Sequence, residues 1–268
     1  MISNLAVVHP NAKLGEGVVV EPFAIIEEDV VIGDGTVIGP HAIIKDGTTI
    51  GKNCRIHSSA VIGGEPQDLK FRGEKTTVVI GDNNNIREFV TVNRGTAAKG
   101  VTQIGNNNLI MAYAHIGHDC LVGNNIVIVN RVSLAGEVEV DDWAIVAGHC
   151  GVHQFTKIGA HAMLGGLLKL SRDVPPYVRA AREPVSFVGI NSIGLRRRGF
   201  SNEAITEIQD IYRILFQSNL AVSSAVSRIE EEFAVSEYRD TILDFIRNSK
   251  RGVIKSYQFT SISDSDDV

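Results

Sequence analysis

The sequence predicts a mainly β protein, a left-handed parallel β-helix of hexapeptide repeats followed by a small C-terminal α-helical domain. Three observations carry this: an aliphatic residue returning every six positions, a small residue two places before it, and a change to helical periodicity after Pro175-Pro176. Stepping by six from Ile2 to Leu170, 26 of 29 positions hold Ile, Leu or Val. A period of six is not that of an α-helix, whose faces repeat every 3.6 residues. It suits a short strand followed by a tight turn, with three such units forming one triangular coil of eighteen residues. Side chains alternate along a strand, so the position two places earlier also points inward. It holds small or β-branched residues, among them Ala24, Thr36, Ala42, Ala60, Ala114, Ala144 and Ala162.

Cys54, Cys120 and Cys150 occupy the same inward position, far apart and without a CxxC spacing. They read as small buried hydrophobes, with no catalytic or metal role. Reduced thiols, no apolar run long enough for a membrane span and no basic-plus-apolar leader at Met1 predict a soluble, cytoplasmic protein. A formal net charge of −5 argues against bulk nucleic-acid binding.

The β-helix is expected over 1–174. Its phase is interrupted near 64–79 and 93–103, where loops leave the rod, and resumes in register after each. Loops ejected from a rigid scaffold commonly carry function. Residues 175–200 are expected as a connector, because two consecutive prolines stop the repeat. A helical domain follows over 201–255, with Ser201 as N-cap. Its three amphipathic stretches carry Ile205, Ile208, Tyr212 and Leu215; Val222, Val226, Ile229 and Phe233; and Tyr238, Ile242, Phe245 and Ile246. The Ser/Asp-rich stretch 256–268 is expected to be disordered.

Candidate chemistry gathers in two places. Seven basic residues stand between 169 and 198 (Lys169, Arg172, Arg179, Arg182, Arg196, Arg197 and Arg198) against only Asp173 and Glu183. The run reads either as a solvated face or as a site for phosphates and an acidic partner. Four histidines, His115, His118, His149 and His153, fall in one short stretch. With eighteen residues per coil, His118 stacks near Gly136 and Gln154, Asp119 near Glu137, and His153 near Gly117. A histidine with a neighbouring carboxylate can act as a general base, and a backbone amide beside a glycine can stabilise an oxyanion. No activated Ser–His or Cys–His pair is evident, so direct attack by a substrate hydroxyl is the simpler chemistry. Zinc held between subunits by His115, His118, His149 and His153 is the alternative; a non-catalytic trimer and a coenzyme-A-dependent acetyltransferase are two more.

The ordered set Pro66-Gln67-Asp68-Leu69-Lys70, Asn93-Arg94-Gly95-Thr96, Ala114-His115-Ile116-Gly117-His118-Asp119-Cys120, Val152-His153-Gln154-Phe155, Asp173-Val174-Pro175-Pro176-Tyr177 and Gly194-Leu195-Arg196-Arg197-Arg198-Gly199-Phe200 resembles the UDP-N-acetylglucosamine 3-O-acyltransferases that begin lipid A synthesis. The resemblance covers nearly the whole chain. It implies a homotrimer with active sites between subunits, and transfer of an (R)-3-hydroxyacyl chain from acyl carrier protein to the glucosamine 3-hydroxyl. No cofactor is implied beyond the 4'-phosphopantetheine that arrives on the carrier protein, and no metal. His118 falls on the catalytic base, Asp119 on its orienting carboxylate and Gly136 on the oxyanion donor. Asp68 and Lys70 match sugar-binding positions, with His115 and Glu137 in the same substrate-binding region. His153 and Gln154 match positions near the nucleotide sugar and pantetheine. Asn191, Arg197 and Arg198 match the region of the uridine and phosphates, and Gly166 the position that limits acyl length. A glycine there implies a long chain, about fourteen carbons or more, since a larger side chain would fill the groove. The sequence departs from the family at Glu137 and Asn93, where relatives often have histidine. A like-charge pair of Glu137 and Asp119 would favour a protonated His118.

Overall fold

The structure, a computed structural model, describes residues 1–256. Twenty-five short strands from Val7–Val8 to Lys169–Leu170 wind into a left-handed parallel β-helix. Every third strand falls in the same sheet, which gives three parallel sheets and a triangular rod. Partners lie eighteen residues apart at the start, as in Val7 with Ile25. The inward column Ile26, Ile44, Ile62, Val92, Ile116, Leu134 and Val152 is at most 3% exposed. Each such side chain contributes about 1.5–3 kcal/mol by leaving water, so the rod is held by many similar steps between neighbouring coils.

The corners follow from backbone chemistry. Three places after most inward aliphatic residues the chain enters the left-handed region, as at Asn107, Tyr113, Asp119, Asn125, Arg131 and Glu137, with φ between 57° and 62°. The glycine behind the inward residue answers to a close approach. At Gly33 a Cβ would sit 2.6 Å from the Gly51 carbonyl carbon of the next coil. One edge is tied by a ladder in which the Lys52, Asp82, Asn106 and Asn124 amides donate to Asp82, Asn106, Asn124 and Asp142 side chains at 2.7–2.8 Å.

Both expected excursions are present. Val61 pairs with Thr91, thirty residues on, and Thr77 with Val101, twenty-four on. The loops therefore add twelve and six residues to the eighteen-residue coil, each a whole number of repeats, so the inward phase survives.

The stretch 175–200 differs from a plain connector. Strand Val178–Ala181 extends the third sheet, pairing Met163 with Arg179, and strand Ser186–Ile190 turns back antiparallel to it. Helix α1 (Ser192–Arg197) follows, capped by Asn191. Helices α2 (Asn202–Gln217), α3 (Val222–Glu232) and α4 (Glu237–Arg247) then form the C-terminal bundle. Ser201 caps α2 by accepting from the Ala204 amide at 3.2 Å. Tyr212 of α2 is fully buried, and its hydroxyl donates to the Pro176 carbonyl at 2.6 Å, which ties the bundle to the end of the rod. Ser256 belongs to a short strand, Lys255–Ser256, beside Ser186–Phe187. The remainder of the expected disordered stretch, 257–268, lies outside the described residues. Among the described residues no helix is long and apolar enough to cross a membrane.

Candidate active site

Three columns of the rod build one cavity. On the first sheet, His115 pairs with Ser133, Ser133 with Gly151 and Gly151 with Lys169. At the adjoining edge, Gly117, Ala135, His153 and Ser171 form a second column, and His118, Gly136 and Gln154 a third. Together with Gln67 and Asn93 from the two loops and Glu183 from the hairpin, they line an open cavity of about 720 Å³.

His118 is 9% exposed and Asp119 fully buried. His118 Nδ1 lies 2.8 Å from Asp119 Oδ2. The same carboxylate accepts the Thr96 hydroxyl at 2.6 Å and the Thr96 and Lys99 amides at 2.9 and 3.2 Å. A carboxylate so surrounded by donors is an acceptor only, so Nδ1 carries the proton it shares with Asp119 and Nε2 is the nitrogen left for a substrate. The ring lies against the next coil: a Cβ on Gly136 would overlap Nε2 and Cε1. Glycine is needed here for the ring to stand where it does. His115 Nδ1 meets the Thr91 hydroxyl at 2.8 Å. Burial, and then the charge of His118, push the His115 imidazole below its ordinary range, which favours a neutral ring.

The structure brings together His115, His118, Gly136, His153 and Gln154, with Asp119 directly behind His118. Other expected residues fall elsewhere. His149 is exposed on the edge between the third and first sheets, apart from the other three histidines. Among the described residues no three His, Cys, Asp or Glu side chains are grouped to hold a metal ion. The thiols of Cys54, Cys120 and Cys150 donate to backbone carbonyls at 3.0–3.1 Å, and burial pushes Cys120 up to about 12. Glu137 gives its amide to the His118 carbonyl at 2.8 Å, but it does not line the cavity.

In the first loop, Gln67 lines the cavity while Asp68 accepts the Lys70 amide at 3.0 Å and Lys70 is exposed. Gly166 is exposed on the edge shared with His149, where a Cβ would stand 3.2 Å from the Gly148 carbonyl oxygen. Asn191 and Arg198 lie on the edge between the second and third sheets. Asn191 is buried, its amide donating to the His161 carbonyl at 3.0 Å and its oxygen accepting the Gly194 amide. Arg198 approaches His161 Nδ1 at 3.3 Å and lies over the Trp143 ring. Burial, then the charge of Arg198, drive His161 down to about 4. Arg197 is the last residue of α1 and is exposed.

Several lining residues escaped the sequence reading. Ser133 and Gly151 were accessible to it, because they share His115's remainder on division by eighteen; Lys169 shares it too, but was read only as part of the basic stretch. Gln67, Glu183 and the bonding of Thr96 were not, because they depend on how irregular segments fold back.

Comparison with known proteins agrees with this architecture. Residues 29–64 and 102–136 match the bacterial transferase hexapeptide model, and residues 173–254 match domain 2 of UDP-N-acetylglucosamine O-acyltransferase. The chain is 47% identical over 206 residues to the acyl-(acyl-carrier-protein)–UDP-N-acetylglucosamine O-acyltransferase of Burkholderia mallei, covering 75% of this chain and 79% of that one. The solved UDP-N-acetylglucosamine acyltransferase of Bacteroides fragilis superposes with a TM-score of 0.94 at 51% identity, over 95% of this chain and all of that one. The Francisella novicida enzyme gives 0.93 at 42% identity, over 96% and 94%. A hexapeptide rod, a capping helical bundle and a histidine–carboxylate pair on an open cavity thus occur in a chain that belongs to the UDP-N-acetylglucosamine O-acyltransferases, and the protein is an acyltransferase.

Proposed function

We propose that the chain transfers an (R)-3-hydroxyacyl group from acyl carrier protein to the 3-hydroxyl of UDP-N-acetylglucosamine, the first step of lipid A biosynthesis, with His118 as general base. The observation that carries the reading is the His118–Asp119 pair, with Nδ1 bonded at 2.8 Å and the ring over Gly136 at the cavity wall. His118 Nε2 takes the proton as the sugar oxygen attacks the thioester carbonyl. The tetrahedral oxyanion is held by the Gly136 amide. Collapse breaks the C–S bond, and His118 returns its proton to the departing pantetheine sulfur, which regenerates the base. Asp119 stabilises the imidazolium in between. No step requires a covalent enzyme intermediate.

The cavity also suits a polar substrate, because Gln67, Asn93, Gln154, Ser133 and Lys169 all face it. Asn93 is 5% exposed, and its oxygen has no hydrogen-bond partner among the described residues. The active assembly in this reading is a homotrimer, in which Asn191, Arg197 and Arg198 of one subunit complete the nucleotide end of a neighbour's cavity. The basic stretch 169–198 receives the acidic carrier protein. Gly166 keeps the acyl groove open for long chains.

The test is an acyl-transfer assay with UDP-N-acetylglucosamine and 3-hydroxyacyl carrier proteins of several lengths, using wild type and His118→Ala. The expected result is transfer by wild type, favouring chains of about fourteen carbons, and a loss of about 10²-fold or more in the variant. No transfer at any chain length would reject the substrates. Transfer that survives in the variant would remove His118 as the base.

A further inference from the structure

The six extra residues of the second loop are spent on one side chain. Among the described residues, and apart from His118, every donor to the Asp119 carboxylate comes from the segment 94–100: the Thr96 hydroxyl at 2.6 Å, the Thr96 amide at 2.9 and 3.1 Å, and the Lys99 amide at 3.2 Å. The loop is itself fastened. The Gly95 amide donates to the Thr77 carbonyl at 3.2 Å and the Gly100 amide to the Thr96 carbonyl at 2.7 Å. Lys99 Nζ stands 3.5 Å from Glu139. Thr96 is 6% exposed and does not line the cavity, yet both its donors go to one carboxylate.

We propose that Thr96 is a positioning residue of the active site, and that the loop 94–100 is a clamp which fixes the direction and the basicity of Asp119. The inference rests on the reading of His118 as general base. A buried carboxylate without donors is driven to take up a proton. Here it would pull the Nδ1 proton so strongly that the imidazole, once protonated at Nε2, becomes too basic to release that proton. Each donor from the loop draws on the same oxygens and weakens that pull. The hydroxyl shares Oδ2 with His118 Nδ1, so it acts on the very atom that orients the base.

The experiment compares Thr96→Val, which keeps the shape but removes the hydroxyl donor, with Thr96→Ser, which keeps the donor. It measures kcat, KM for UDP-N-acetylglucosamine and the pH profile of kcat/KM, with His118→Ala and thermal melting alongside. The charged and titratable groups around the pair are His115 on the strand that leads into it, Lys99 with Glu139, Glu137 and His153 from the next coils, and Lys169 and Glu183 across the cavity; both variants leave them all unchanged. In Thr96→Val the Asp119 carboxylate loses a donor and becomes more basic, so His118 holds its proton to higher pH. The expected result is a fall in kcat of about tenfold with KM nearly constant. The acid limb of the profile should move up by about half a pH unit or more, and Thr96→Ser should restore both. A wild-type rate and profile in Thr96→Val would overturn the proposal. So would equal losses in Val and Ser that follow their melting temperatures, or a loss confined to KM. If His118→Ala retains transfer, it is the general-base reading that fails, and the role of Thr96 goes with it.

Discussion

His118 and Asp119 are adjacent in the chain, and adjacent side chains in a strand point to opposite faces. Here they meet because Asp119 is at a corner with φ 59°, in the left-handed region, which aspartate tolerates better than most residues. The turn that closes every repeat thereby becomes the device that places a carboxylate behind a histidine. Its counterpart one coil on is Gly136, whose missing side chain leaves room for the ring. Gly136→Ala tests this. The methyl group would drive the imidazole out of line with Asp119, and a small displacement at the reacting atoms can cost about 10²-fold in rate. The expected outcome is a loss of kcat on that scale with an unaltered far-UV circular dichroism spectrum and little change in melting temperature. A fully active Gly136→Ala would mean that the ring does not work from this position.

At the scale of elements, the rod and its cap are joined by few but specific contacts. Burial raises the Tyr212 phenol well above its ordinary range, so it remains a donor, and its partner is the carbonyl of the proline that ends the repeat. The Tyr212 ring stacks on Phe216, which stacks on Phe187 in turn, and lies tilted against Phe187. Tyr212→Phe keeps this packing and leaves the Pro176 carbonyl unpaired, at a cost of about 1–3 kcal/mol. Thermal melting should show a drop of about 2–4 °C per kcal/mol, and an unchanged melting temperature would show that the hydroxyl does not hold the cap. The same junction marks where the sequence stops being readable. Up to Leu170 each inward residue is legible, because a period of six tolerates only one arrangement of strand and corner. After Pro176, Val178–Ala181 continues the third sheet only sixteen residues beyond its partner. No repeat announces that strand, or the short helix α1 that follows. At the site the division is the same. His118 over Gly136 follows from counting by eighteen, whereas Thr96 on Asp119 joins residues twenty-three apart through a loop, and no period encodes it.

For the whole molecule, the expected site residues fall on different edges of the three-sided rod. The cavity lies on the first sheet and its edge with the second. Gly166 lies at the far border of that sheet, and Asn191 and Arg198 on the remaining edge of the rod, bonded to His161 and lying over Trp143. If all of these serve one reaction, the nucleotide end of each cavity is supplied by a neighbouring chain, as a closed threefold ring allows, since every subunit then gives one edge and receives another. This predicts complementation. His118→Ala chains lack the base, and Arg197→Ala chains, changed at an exposed position, lack a phosphate contact; each alone should be nearly inactive. Co-expressed and assembled at random, about a quarter of the sites would pair an intact His118 with an intact Arg197, and transfer should recover to about that fraction of wild type. Mixtures no more active than the sum of the two variants would place every working residue within one chain, and the basic stretch would then be left to the carrier protein alone.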